Sequence, residues 1–162
     1  MSFSFILSAV LLCIVSYLMG SVSTAILVCR ALGYPDPRSE GSNNPGATNV
    51  LRIAGKGPAL LTLAGDVGKG VLAILLGRVL SVDELTLALM GLAAFIGHLF
   101  PLYFNFEGGK GVATALGVIT TLAWPIGLGI MLIWLVVAVL SRYSSLAALV
   151  SWALAPLLVY LY

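Results

Sequence analysis

Long apolar runs separated by short polar breaks organise this chain. Residues 3–29, 58–80, 85–106 and 145–162 are almost continuously apolar. About 20 such residues, wound as a helix, cross a bilayer core of about 30 Å. A further stretch, residues 111–141, is too long for one upright crossing and is interrupted at Trp124 and Pro125. Proline breaks a helix interior, so this stretch is either one long tilted helix or two shorter ones. Charge placement decides between them. Arg30, Arg38, Arg52 and Lys56 lie between the first two runs, Lys110 follows the third, and Arg142 follows the ambiguous stretch. The positive-inside rule puts all of them on the cytoplasmic side. Lys110 and Arg142 then need an even number of crossings between them, so two helices are expected, about 111–123 and 125–140. The first is short for a full crossing, and the bilayer or neighbouring helices must adapt to it.

The pattern therefore predicts an all-α integral membrane protein, a single polytopic domain over residues 1–162. It has about six transmembrane helices, its N-terminus outside and Gly-rich loops in the cytoplasm. The last run stops at Tyr162 without a polar flank, so the chain reads as C-terminally incomplete.

Composition agrees. Of 162 residues, 60% are hydrophobic and 9% charged, against about 25% charged in a soluble domain. The mean hydropathy is +1.12. A net charge of +2 is too small to argue for nucleic acid as a partner. The opposite side of the membrane receives a single basic residue, Arg78, beside Asp83 and Glu84. The first run lacks a basic leader and far exceeds the usual ~7–15 residues of a signal-peptide core, so it is expected to be a retained span. Cys13 and Cys29 fall within it. On one continuous helix they stand roughly 24 Å apart, too far to pair, and they read as small buried apolar residues.

Two cytoplasmic segments carry candidate chemistry: "GSNNPGATNVLR" at residues 41–52 and "FEGGKGVAT" at 106–114. Glycine exposes successive backbone N–H groups that form anion-binding concavities. Both segments run into helices, whose N-termini favour phosphate. Lys110 adds a point charge and Arg52 a planar fork suited to phosphate. Together they predict a phosphate pocket at the cytoplasmic membrane surface. Neither is a nucleotide-binding loop of the G-x-x-x-x-G-K-[ST] type, because Gly111 follows Lys110 and the leading Gly is absent. A third loop, "SRYSSL" at 141–146, offers Arg142, Ser144 and Ser145 either to a phosphate or to a helix start.

Inside the membrane, Asp66 and Lys69 share a helix face at i and i+3. Each costs about 2.5–3.5 kcal/mol at the bilayer centre on insertion scales, so they need a partner or a purpose. His98, in the next run, comes to about the same depth, roughly 12 Å from the cytoplasmic side. The trio is either a mutually satisfied structural cluster or part of the site. The chain has one His with no Ser–Asp pattern around it, which leaves nucleophilic triad catalysis unsupported. That His and two distant Cys make no metal-ligand set. The H-x-x-x-x-D pattern of many glycerolipid acyltransferases fails as well, since Tyr103 stands where Asp is needed.

In order along the chain, "GSNNPGATNVLR", "GDVGKG", "GHLFPLYFNFEGGKGVAT" and "SRYSSL" resemble the signatures of the bacterial acyl-phosphate:glycerol-3-phosphate acyltransferases, the PlsY family. The resemblance implies transfer of a fatty acyl group from acyl-phosphate to the 1-hydroxyl of glycerol-3-phosphate, with no cofactor, in the inner membrane with the site on its cytoplasmic side. The implied partners are these two substrates and the lipid bilayer. By motif position it implies Ser42, Arg52, Lys110 and His98 as catalytic residues. It implies Gly41, Asn44, Thr48, Asn49, Gly108, Gly109, Gly111, Ser144 and Ser145 around the substrates, with Thr48 and Asn49 shaping the first loop, and Asp66 and Lys69 as polar support. Family members carry a seventh span and a basic tail whose His and Asn belong to the site; nothing follows Tyr162 here. A transporter of a phosphorylated solute, built on discontinuous helices, and a non-catalytic remnant are the rival readings.

Overall fold

The computed structural model describes residues 3–162, the side chain of Phe3 excepted. The described residues form eight α-helices and one short 3-10 turn. They are α1 (Phe3–Gly20), α2 (Thr24–Ala31), α3 (Ala47–Ala54), α4 (Lys56–Val79), α5 (Glu84–Leu99), α6 (Val112–Leu122), α7 (Trp124–Ser141) and α8 (Ser144–Leu161), with the 3-10 turn Leu102–Phe104 after α5. Five helical segments are long and apolar enough to cross a membrane: Ser4–Ala31, Lys56–Val79, Glu84–Phe104, Trp124–Ser141 and Ser144–Leu161. The apolar α6 is shorter, at 11 residues.

The division of residues 111–141 falls where proline requires it. Helix α6 stops at Leu122 and α7 begins at Trp124 with Pro125 in its first turn, where a missing N–H is harmless. Arg78 at the end of α4 donates from Nη2 to the Leu122 carbonyl at 3.2 Å, satisfying one of the last carbonyls of α6. At the same end Asp83 caps α5, its carboxylate accepting from the Leu85 and Thr86 N–H groups at 3.1 Å each.

The first run departs from expectation. It is not one helix: α1 ends at Gly20 and α2 starts at Thr24. Cys13 and Cys29 therefore lie on different helices, and a distance reckoned along one helix does not apply to them. The break is possible because it is buried. Ser21 is fully enclosed and Ser23 nearly so. The Ser21 N–H and hydroxyl both return to the Tyr17 carbonyl, at 2.8 and 2.9 Å. Irregular backbone at membrane depth survives only where protein or cavity surrounds it. Here protein does, and the freed Val22 carbonyl accepts a hydrogen bond from Lys69 Nζ at 2.9 Å.

Helix α4 is the central element, packed against α1, α2, α3, α5 and α6. Its contact with α6 is backbone-close at Gly70, where a Cβ would run into the Thr114 carbonyl. The contact of α5 with α1 is equally close at Gly97, which faces the backbone from Tyr17 to Ser21. Lipid supplies no hydrophobic drive between helices, and small residues permit the close packing that replaces it.

Candidate active site

The polar segments gather at one end of the bundle, where α2, α5 and α7 end and α4, α6 and α8 begin. Their first organiser is Asn49, buried on α3. Its amide nitrogen donates to the carbonyls of Pro37 and Glu40, at 2.8 and 2.9 Å, and its oxygen accepts the Ser42 N–H at 2.9 Å. The side chain is spent on folding the loop before α3. Gly41 meets the same group. It sits at φ +63, and a Cβ there would strike Asn49 Oδ1, so this corner needs glycine both for conformation and for space.

Arg38 is the second organiser, and sequence reasoning placed it only as an interfacial cation. Nε and Nη2 grip both oxygens of Asp36, with Nη2 at 2.7 Å from Oδ2. Nη1 reaches across to the Phe104 carbonyl at 3.2 Å and to Glu107 Oε2 at 3.1 Å. Arg38 thus ties the loop before α3 to the loop before α6. Hydrogen bonding to the guanidinium holds the Asp36 carboxyl below the usual Asp range, against the opposing effect of its partial burial. The available signal was the "DPR" spacing, which lets an arginine fold back on an aspartate two residues earlier.

The second Gly-rich segment lies on the end of α5. The Gly109 N–H donates to the His98 carbonyl at 3.1 Å. A Cβ at Gly108 would hit the His98 and Leu99 carbonyls, and one at Gly109 would hit the His98 ring at Nε2. These glycines are there for close approach as well as for exposed N–H groups. Gly111, at φ +78, opens α6. The third loop joins the first: Ser144 Oγ lies 3.3 Å from Thr48 Oγ1.

Arg52 sits in the last turn of α3, not in a loop. Arg52, Lys110, Ser42 and Ser145 are exposed, and none of these side chains is engaged by another described residue. Asn44 is half-buried beside Gly46. The membrane-buried trio does meet: Lys69 Nζ lies 3.1 Å and His98 Nδ1 3.5 Å from Asp66 Oδ1. An open apolar groove of about 470 Å³ runs between α5, α6 and α8, walled by Phe95, Val118, Leu122 and Trp152, with Lys110 on its lining. Trp152 carried no signal in the sequence, since its role depends on how α8 packs.

The fold and this end of the bundle define a multi-pass helical membrane protein with an exposed cation, Lys110, on a glycine-rich segment beside an apolar groove. Residues 10–162 match the family model described as glycerol-3-phosphate acyltransferase, and the chain belongs to that family. It is similar to the glycerol-3-phosphate acyltransferase of Methylococcus capsulatus, 56% identical over 147 residues, covering 91% of this chain and 74% of the relative. To that of Halorhodospira halophila it is 58% identical over 150 residues, covering 91% and 75%. Among solved structures it resembles PlsY, an integral membrane glycerol 3-phosphate acyltransferase. The glycerol 3-phosphate form matches with a TM-score of 0.89 at 38% identity, covering 95% of this chain and 77% of that one. The lysophosphatidic acid form matches with a TM-score of 0.87 at 37% identity, covering 95% and 76%.

Proposed function

We propose that this acyltransferase takes its acyl group from a fatty acyl-phosphate and delivers it to the 1-hydroxyl of glycerol-3-phosphate. It does so at the cytoplasmic face of a bacterial inner membrane, as a step of phospholipid biosynthesis. The observation that carries the donor assignment is the position of Lys110. One free ammonium lies on the lining of an apolar groove, which suits a molecule that is a phosphate at one end and a hydrocarbon at the other. Arg52, Ser42 and the Thr48–Ser144 pair supply a second polar group for glycerol-3-phosphate. The glycerol-3-phosphate and lysophosphatidic acid forms of the related PlsY support the acceptor and the product.

The reaction needs little from the protein beyond placement and charge. The acceptor hydroxyl oxygen forms a bond to the acyl carbonyl carbon, and the bond from that carbon to the phosphate oxygen breaks. The hydroxyl proton passes to a phosphate oxygen, and lysophosphatidic acid and inorganic phosphate leave. An acyl-phosphate is a mixed anhydride with a good leaving group, so no acyl-enzyme is required. Orientation of the two substrates and cations near the oxygens that gain charge account for the catalysis. Purified protein supplied with palmitoyl phosphate and glycerol-3-phosphate is expected to release phosphate only when both are present. Lys110→Ala should lower kcat/KM by about 100-fold, the usual cost of removing one charge-stabilising group. Phosphate release no faster than in the Lys110→Ala protein would sink the reading. Flux of glycerol-3-phosphate into vesicles without acyl transfer would favour a transporter.

A further inference from the structure

Lys69, Asp66 and His98 are only 6%, 2% and 7% exposed. Their contacts run in one line. Lys69 Nζ takes the carbonyl freed where α1 breaks from α2, at 2.9 Å. It pairs with Asp66 Oδ1 at 3.1 Å, and the same oxygen faces His98 Nδ1 at 3.5 Å. His98, in the last turn of α5, packs against the glycine-rich loop: its carbonyl accepts the Gly109 N–H and its ring fills the space a Gly109 side chain would take. Neighbouring Gly97 locks the same turn of α5 onto α1.

We propose that Lys69, Asp66 and His98 form a buried polar strut that sets the position of the Gly108–Gly109–Lys110 segment, and that all three are positioning residues rather than catalytic ones. Three arguments support it. A buried ion pair adds little to stability compared with apolar residues of the same volume, so stability alone does not explain it. The strut is fixed at its far end to backbone, the Val22 carbonyl, which an apolar replacement could not grip. And it contacts the loop through the His98 main chain and ring together, which fixes both height and lateral place. Preorganisation of this kind places a charged group to within about 0.5 Å of its working position.

The inference rests on the reading of Lys110 given above, and its test separates the two. In His98→Asn the backbone acceptor stays and the ring goes. The expected result in the full chain is a KM for palmitoyl phosphate or glycerol-3-phosphate raised about tenfold, with kcat within about threefold of the parent. Asp66→Asn should raise the same KM, and the double variant should be no worse than the more affected single one, because the two act through one path. A kcat fall of 100-fold or more in His98→Asn at unchanged KM would make His98 catalytic and overturn the proposal, as would strictly additive KM effects. A second arm does not depend on turnover. Amide hydrogen exchange at Gly109 and Lys110 should quicken at least tenfold in His98→Asn while α5 keeps its protection; unchanged exchange there overturns the strut even if no acyl transfer is seen in any variant.

Discussion

Helices α4 and α5 and helices α7 and α8 cross the membrane on different terms. The apolar stretches within α4 and within Glu84–Phe104, which contains α5, are 39% and 44% buried inside the protein, those of α7 and α8 17% and 11%. The first pair encloses Thr62, Asp66, Lys69, Thr86 and His98. The buried residues of α7 are Ile126, Gly127 and Ile130, and those of α8 are Ala147 and Ser151. The difference follows from the solvent. Hydrocarbon competes equally well for any apolar side chain, so helices hold together in it by close backbone approach and by polar pairing. The first pair has both, and the polar groups that hold it also reach the candidate site. From the second pair, α8 brings Ser144 to Thr48 and Trp152 to the groove, and little else of either helix is buried in this chain.

The contrast is broken hardest by removing one charge from the buried pair. Lys69→Met strips the buried Asp66 carboxyl of its partner and should cost about 3–5 kcal/mol, read as a lowered midpoint of thermal unfolding in detergent. Lys69→Met with Asp66→Leu should recover most of that stability without restoring the parent's KM, because the strut is gone. A single variant as stable as the parent would mean that the charges do not hold the helices. Next in size is a glycine pair on one helix. Gly70→Ala drives a Cβ into the Thr114 carbonyl, which cannot yield without moving α6, and overpacking of this kind costs about 1–3 kcal/mol. Gly68 faces open space, so Gly68→Ala should instead stabilise α4 by about 0.5–1 kcal/mol. The same unfolding measurement reads both signs, and equal effects would sink the packing argument.

Apolar period and charge asymmetry made most of the fold legible. The division at Pro125 could be read because lysine and arginine on both sides demanded an even number of crossings. The break at Ser21–Ser23 could not. A serine-rich turn inside an apolar run looks like tolerated polarity, and only the packing of Gly97 and the reach of Lys69 from another helix show that the backbone opens there. Residue type singled out Arg52, Lys110 and the glycines as candidates, and of these the structure puts Lys110 on the groove lining and packs Gly108 and Gly109 against the end of α5. The meeting of Asp66, Lys69 and His98 was legible too, from depth alone. Arg38 was missed because its importance lies in joining two loops far apart in sequence. Asn49 needed the structure to reveal that its amide is consumed by backbone groups of its own loop.

Arg38 gives a smaller test, at the surface where screening limits any ion pair. Arg38→Ala should cost about 1 kcal/mol or less in stability yet raise KM for at least one substrate several-fold, because the two Gly-rich loops lose their tie. Asp36 supplies the pH side of this. Its folded pKa is depressed by Arg38, so the contribution is complete above the ordinary Asp value of about 3.9 and disappears as pH falls through the lower folded value. Arg38→Ala should flatten that acid limb of the stability curve; an unchanged limb would show that the pair does not couple to folding.

The smallest effect belongs to the lipid face. Leu149 on α8 is 71% exposed on the protein surface, in a segment that is mostly apolar. If α8 presents this face to lipid, the side chain meets hydrocarbon both in the folded state and in a membrane-inserted state whose helices have come apart. Leu149→Ala therefore removes a contact that both states share, and the change in stability should stay within about 0.5 kcal/mol. The corresponding change in a water-soluble core costs about 2–5 kcal/mol. Unfolding of the parent and of Leu149→Ala in lipid bicelles compares them directly. A loss above about 1.5 kcal/mol would mean that α8 buries this face against protein in the membrane, and that α7 and α8 do not differ from α4 and α5 in the way their exposure indicates.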